Sequence, residues 1–299
     1  MEFIVNCYNK IDLKLSWEGK MMKTIRKTAI VMLLCVYFLT YGVLPQVEAG
    51  KDTPVIVVAH RAGAKVAPEN TLAALEQAIR DGVPIAEIDV QQLSDGTLIV
   101  MHDSNFKRTA GEDVCVWDTE ADVLSTLEVG SAFSAAYRGE QIPTLEEMLA
   151  CAGGRITLMI ELKYTGQEQE LEESVLALLQ EYDMVGECII GSMNKGILQR
   201  VKELEPDIST VYIAHDLGED DYDLDYADSY SIEWKNLTTA MVETIHYEGK
   251  SVYGWTANTS GAMRQIVNSG ADGVVTDDVR LLQTFLRENT CRKTFESVY

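Results

Sequence analysis

Histidine is scarce in this chain, four in 299 residues, and two of the four stand where an apolar run meets a charge. Val57-Val58-Ala59 ends in His60-Arg61, and Leu98-Ile99-Val100-Met101 ends in His102-Asp103. Two further apolar runs end in acid. One carries Glu87-Ile88-Asp89, and the run Ile156 to Ile160 closes in Glu161-Leu162-Lys163. Imidazole titrates near neutrality, so His60 and His102 can each take up or release a proton in a reaction. Glu87 and Asp89 lie two apart, so on a strand both point to one face. If Glu161 joins them, three carboxylates make a site for a hard divalent cation, Mg²⁺ or Ca²⁺. Without a cation such a trio repels, and one member must hold a proton. Arg61 and Lys163 add positive charge in the same place. Cations, a divalent metal and two histidines together suit a phosphate ester, whose phosphoryl oxygens gain charge in the transition state. Taken singly each signal is weak; their common position at strand ends carries the reading.

The elements that must position these groups follow from periodicity. Short apolar runs alternate with amphipathic stretches from residue 55 onward, the order of an α/β fold with a parallel sheet. Strands are predicted at 55–59, 85–90, 156–162, 188–192, 209–214, 229–234, 251–256 and 273–276, the number a closed (β/α)₈ TIM barrel requires. A ninth run, 97–102, follows the turn signal Ser94-Asp95-Gly96 and predicts a hairpin with the second strand. Leu72, Leu75 and Ile79 give residues 71–81 a helical stripe, with Asn70 expected as its N-cap. Similar stripes follow Pro143 (Leu145, Met148, Leu149) and run through Leu171, Val175 and Leu179, through Leu198, Val201 and Leu204, and through Met263, Ile266 and Val267. Residues 104–141 break the rhythm. An insertion that follows His102 lies at the catalytic end of a barrel, where it is expected to cover the site.

Composition sets the outer bounds. The chain carries 25 Lys and Arg against 47 Asp and Glu, a net charge of −22. A surface this acidic repels nucleic acid, so no nucleic-acid partner is expected, and an anionic substrate needs a locally cationic site. The six cysteines form no C-x-x-C pair, which argues against a zinc or thioredoxin-type site and for free thiols, with a bridge between Cys115 and Cys151 the exception to test. Lys20, Lys23, Arg26 and Lys27 precede an apolar stretch, and Val47-Glu48-Ala49 has the form of a signal-peptidase site. The apolar run is about 16 residues, between a long signal core and a short membrane span. Residues 1–49 are therefore expected to be a cytoplasmic stub with a signal peptide or a single anchor. Residues 29–47 would associate with the membrane if uncleaved, and Met21 or Met22 is a candidate start. The remainder is expected to be exported, either secreted or held at the outer face of the cytoplasmic membrane.

Taken in order, several segments carry a resemblance. These are Ala59-His60-Arg61, Ala67-Pro68-Glu69-Asn70-Thr71, Glu87-Ile88-Asp89-Val90, Asp95-Gly96-Thr97-Leu98, His102-Asp103, Ile142-Pro143-Thr144-Leu145-Glu146-Glu147, Glu161-Leu162-Lys163, Gly254-Trp255-Thr256-Ala257-Asn258 and Ala271 to Asp277. From about Val55 to Phe285 the chain resembles the glycerophosphodiester phosphodiesterase (GDPD) family. The resemblance implies a barrel of the phospholipase-C-like phosphodiesterase type that cleaves glycerophosphodiesters to glycerol 3-phosphate and an alcohol. It matches His60 and His102 to the acid/base pair and Glu87, Asp89 and Glu161 to the metal ligands. It matches Arg61 and Lys163 to phosphate contacts, Glu69 and Asn70 to the motif beside the site, and Trp255 to an aromatic of the substrate cleft. The catalytic domain is expected over 50–290, with a tail at 291–299. Departures are Ala62 where the family has Gly, Met193 where Phe is common and Val279 where Pro is common. Two other activities are open: a lysophospholipase D or phospholipase-C-like hydrolase of lipid or teichoic-type diesters, and a non-catalytic barrel binding phosphorylated glycans. His215 imitates the His102 pattern without a matching family role, and His246 is expected on a helix surface.

Overall fold

The computed structural model describes the backbone of residues 54–296 and side chains as far as 289. The expected signal or anchor segment, residues 1–49, lies outside the described residues. Among those described, no helix is long and apolar enough to cross a membrane.

Eight parallel strands close into a barrel. They are β1 (Ile56–Ala59), β2 (Ile85–Gln92), β4 (Thr157–Leu162), β5 (Cys188–Ser192), β6 (Ser209–Ala214), β7 (Ser229–Glu233), β8 (Ser251–Trp255) and β9 (Gly273–Thr276). Each pairs with its neighbour, and β1 closes the ring by pairing with both β9 and β2. The extra strand β3 (Leu98–Val100) lies outside the ring and pairs antiparallel with β2, Val90 opposite Val100. Every predicted strand is present, with ends shifted by no more than two residues.

Two apolar layers explain the closure. Ile85, Met159, Val211, Ile213, Tyr253, Val58 and Val275 fill the lower barrel interior. Ala86, Ile88 and Val90, of opposite parity on β2, pack outward with the helices. Period two therefore sends Glu87, Asp89 and Gln91 to the same side as Ile85, and Glu161 to the same side as Met159. The barrel floor is apolar and its mouth is charged, the usual division of this architecture. Gly273 is required where it stands: a Cβ there would lie 2.5 Å from the Tyr253 ring.

The outer helices are α1 (Leu72–Arg80), α4 (Leu145–Ala152), α5 (Leu171–Glu181), α6 (Lys195–Leu204), α7 (Thr239–Tyr247), α8 (Ser260–Ser269) and α9 (Val279–Glu296). Two short helices, α2 (Lys107–Ala110) and α3 (Gly130–Phe133), belong to the insertion. α4 starts at a full capping box between Thr144 and Glu147; such boxes satisfy two otherwise unpaired amides. Asn70 is not the cap of α1. Thr71 is, its hydroxyl accepting from the Ala74 amide, while Asn70 takes a left-handed conformation (φ 57) and turns into the barrel. α9 runs on through residue 291 to Glu296, into the segment expected as the C-terminal tail. Cys115, Cys151 and Cys188 are free thiols, so no bridge joins Cys115 to Cys151.

The insertion has a small core of its own. Phe106, Val116, Leu127, Val129 and Ile142 bury themselves against Leu93, Ile99 and Met101 of the β2–β3 hairpin. It is thus an appended layer that rests on the hairpin.

Candidate active site

Glu87 and Asp89 are the third and fifth of the eight residues of β2, and Glu161 stands directly beside Asp89 in the β2–β4 register. One carboxylate oxygen from each lies within 4.8 Å of the others. Glu87 and Asp89 are 4% and 0% exposed. Taking a carboxylate out of water costs several kcal/mol, about the worth of a whole hydrogen-bond network, so these positions are not explained by folding alone. Burial, reinforced by the charge of Asp89, pushes Glu87 up to about 8. Burial also raises Glu161, with Lys163 opposing. Asp89 moves the other way: burial would raise it, but the Lys163 ammonium and the amide of Asn70 hold it ionised. With Lys163 against Asp89 and Glu161 only, full ionisation of the trio at neutral pH calls for a further cation near Glu87. Glu87 Oε1 is buried and accepts no hydrogen bond among the described residues. Three oxygens of hard, anionic type converging with one left unpaired fit a divalent cation such as Mg²⁺ or Ca²⁺.

Cationic groups surround this trio. Lys163 Nζ lies 2.8 Å from Asp89 and 2.9 Å from Glu161. The backbone amide of Arg61 donates to Glu87 Oε2 at 2.7 Å, which the left-handed turn at Arg61 (φ 49) makes possible. Ala62, where the family has Gly, adopts the same left-handed region (φ 61), so the turn is kept despite its methyl group. The Arg61 guanidinium donates to Glu69 at 2.9 Å, and its buried Nε has no hydrogen-bond partner among the described residues. Glu69 in turn accepts from Arg108 of the insertion at 2.6 and 2.9 Å. Burial would raise Glu69, but Arg108 and Arg61 together hold it below its usual range. Asn70 uses both ends of its amide on Asp89, donating to Oδ2 at 2.8 Å and accepting from the backbone N–H at 3.3 Å. Glu69 and Asn70, both expected beside the substrate, are thus engaged with other groups of the site.

The two histidines differ. His60 follows β1, and the register Ala59 opposite Thr276 brings it against Asp277 after β9, with Nδ1 to Oδ1 at 2.5 Å. Asp277 is held by Asn258 on its other oxygen. Burial alone would lower the His60 imidazole, but Asp277 and the field of Glu87 outweigh it and raise it above the ordinary value. His102 follows β3 and pairs with Asp103 at 2.9 Å. Burial lowers it; the pull of Asp89 is not enough to offset this, and Lys163 adds to the lowering. Arg108 holds the Asp103 carboxyl down at about 2. His102 lines both a cavity of about 170 Å³ beneath the insertion and an open groove of about 710 Å³ that reaches Glu161 and Lys163.

Residues 60–281 match the glycerophosphoryl diester phosphodiesterase family profile. The chain belongs to this family. Membership makes it a phosphoric diester hydrolase, and the family's reaction is hydrolysis of glycerophosphodiesters. A glycerophosphodiester phosphodiesterase of Caldanaerobacter subterraneus is 31% identical over 243 residues, covering 78% of this chain and 98% of the relative. One from Bacillus subtilis is 30% identical over 280 residues, covering 84% and 96%. The solved structure of an Oleispira antarctica phosphodiesterase, in complex with the product sn-glycerol-3-phosphate, is 28% identical with a TM-score of 0.73, covering 78% of this chain and 96% of that one.

Within this family site, Trp255 ends β8, packs on the interior cluster and donates from its indole to the Ser231 carbonyl at 2.9 Å. His215 is exposed and pairs with Glu233, its ring centroid 5.2 Å from that of Trp255 and the two planes tilted by 51°. His246 lies on α7 against Asp272. Four residues had no assigned role in the sequence: Asp277, Asn258, Arg108 and Gln91. Asp277 carried a signal, since it directly follows a barrel strand adjacent to β1. Arg108 carried none, because the insertion has no periodicity to orient it.

Proposed function

We propose that the site hydrolyses glycerophosphodiesters to glycerol 3-phosphate and an alcohol with one divalent cation, Mg²⁺ or Ca²⁺, held by Glu87, Asp89 and Glu161. The observation that carries this is the convergence of three carboxylates, two of them buried and one oxygen without a hydrogen bond, beside Lys163 and Arg61. When bound, the cation supplies charge that stabilises the phosphoryl oxygens. Arg61, whose buried Nε makes no hydrogen bond among the described residues, and Lys163 hold those oxygens from the protein side. Asp277 and Glu87 raise the His60 imidazole, which favours its protonated form, and burial lowers that of His102, which favours its neutral form. In this scheme His102 accepts a proton from the attacking water as its oxygen bonds to phosphorus, and His60 gives its own to the alkoxide oxygen as the P–O bond to the alcohol breaks. Asp277 fixes the His60 ring through Nδ1, so Nε2 is the nitrogen that faces the reaction. The product bound in the Oleispira relative is the one this scheme releases.

Purified residues 50–299 with glycerophosphocholine, glycerophosphoethanolamine and glycerophosphoglycerol test the reading. Release of glycerol 3-phosphate that chelation abolishes is expected; turnover that EDTA leaves intact would refute it. Export belongs to the same proposal. The exported product should begin at Gly50 if residues 1–49 are cleaved, or stay intact in the membrane fraction if they anchor it. Activity confined to the cytosol would exclude both forms.

A further inference from the structure

Gln91 continues the line of Glu87 and Asp89 on β2, two residues further toward the barrel mouth. Its side chain is 3% exposed. The hairpin ladder places Val90 opposite Val100 and binds the Met101 amide to the Asp89 carbonyl at 2.8 Å. Beyond that point the chain leaves β2, and among the described residues no backbone–backbone hydrogen bond is made by His102 or Asp103, the next being Val116 to Ser104. The Gln91 amide takes over there. Its Nε2 donates to the Met101 carbonyl at 2.7 Å and to the Asp103 carbonyl at 2.8 Å, the residues on either side of His102.

The other end of the same amide argues that this position is kept for the site. Gln91 Oε1 is buried with no hydrogen-bond partner among the described residues. An unpaired buried amide oxygen is unfavourable, and a core position that needed only filling would be apolar. Both donor hydrogens are used on carbonyls, which also fixes which end of the amide is nitrogen. Gln91 lines the groove shared by His102, Glu161, Lys163 and Ser192.

We propose that Gln91 is a positioning residue for proton transfer, which clamps the backbone on both sides of His102 and so sets the imidazole against the carboxylate cluster. The inference rests on His102 acting in proton transfer. Misplacing a reacting group by about 1 Å can cost about 10²-fold in rate.

A double-mutant cycle tests it, with kcat and KM measured for wild type, Gln91→Met, His102→Ala and the pair. Gln91→Met keeps the volume and removes both donors. It is expected to lower kcat by about 10–100-fold with KM within about twofold. In the His102→Ala background it is expected to cost nothing further, because its effect passes through the imidazole. Calorimetric affinity for Mg²⁺ or Ca²⁺ should be unchanged, a readout that a disturbed β2 would move. If Met is not tolerated there, Gln91→Asn keeps an amide in the barrel but is too short to reach both carbonyls, and the same losses are expected. A Gln91 variant with wild-type kcat would overturn the inference, as would an equal loss in both backgrounds or a collapse of metal affinity. His102→Ala at near wild-type rate would instead remove the proton-transfer reading on which it rests.

Discussion

Asp277→Asn should move the basic limb of the pH–rate profile while leaving the acidic limb in place. His60 has a raised pKa because Asp277 accepts from Nδ1 at 2.5 Å and outweighs burial. A raised pKa keeps the imidazole protonated to higher pH, so a proton donor of this kind loses activity as pH rises through it. A hydrogen bond to a charged group contributes about 1.5–3 kcal/mol, and one pKa unit is about 1.4 kcal/mol. The Asp277 side chain is 26% exposed, so solvent screening favours the lower end of that range, about one pH unit. The amide substitution also sets one –NH₂ against the Asn258 donor that now holds Asp277 at 2.5 Å, which weakens the hold on His60 further. kcat/KM for glycerophosphocholine, measured from pH 5 to 10 at saturating cation, should therefore fall about tenfold on the alkaline side and little on the acidic side. Imidazole chemical shifts of His60 across the same range report its pKa directly. A uniform loss at every pH with the limb in place would refute the reasoning, and would make Asp277 a purely structural contact.

Lys163→Met leaves the acidic trio without its counter-charge, and in EDTA it should destabilise the fold by about 3–5 kcal/mol, the cost of breaking a buried pair; thermal unfolding with and without Mg²⁺ checks this, since the cation should restore much of the loss by binding only the folded state. An unchanged Tm in EDTA would count against the pairing. Asp89→Asn, at the centre of the trio, should weaken Mg²⁺ or Ca²⁺ binding at least tenfold by calorimetry, with kcat falling in parallel. Arg108→Ala should release the insertion from Glu69 and Asp103. Because that arginine is half exposed, global stability should change by no more than about 1 kcal/mol, while limited proteolysis within residues 104–141 should quicken.

Much of the architecture was legible because it depends on local pattern. Apolar runs of four to eight residues marked the barrel strands, and period two placed Glu87 and Asp89 on one face before any pairing was known. What the pattern could not supply was register. His60 and Asp277 are 217 residues apart in sequence, and only the closure of β1 on β9 brings them together. Asn70 shows a second limit. Asn and Thr are both good caps, and the choice between Asn70 and Thr71 was made by Asp89, a buried carboxylate that needed a donor. Arg108 escaped for the same reason, since its partner Glu69 lies 39 residues back, whereas Gln91 escaped because a predicted hairpin does not fix the register that sets its amide on the Met101 and Asp103 carbonyls.

The ring and the hairpin arm divide the chemistry unequally. The metal carboxylates, His60 and Lys163 belong to the closed barrel, whereas His102 and the insertion ride on β3, outside it, with a separate small core. Descent can therefore work on the two parts at different speeds. The insertion can be lengthened or recut while the ring that carries the carboxylate trio keeps its own packing. Each such change also bears on His102, which stands between β3 and the insertion, and so on the proton transfer proposed for it.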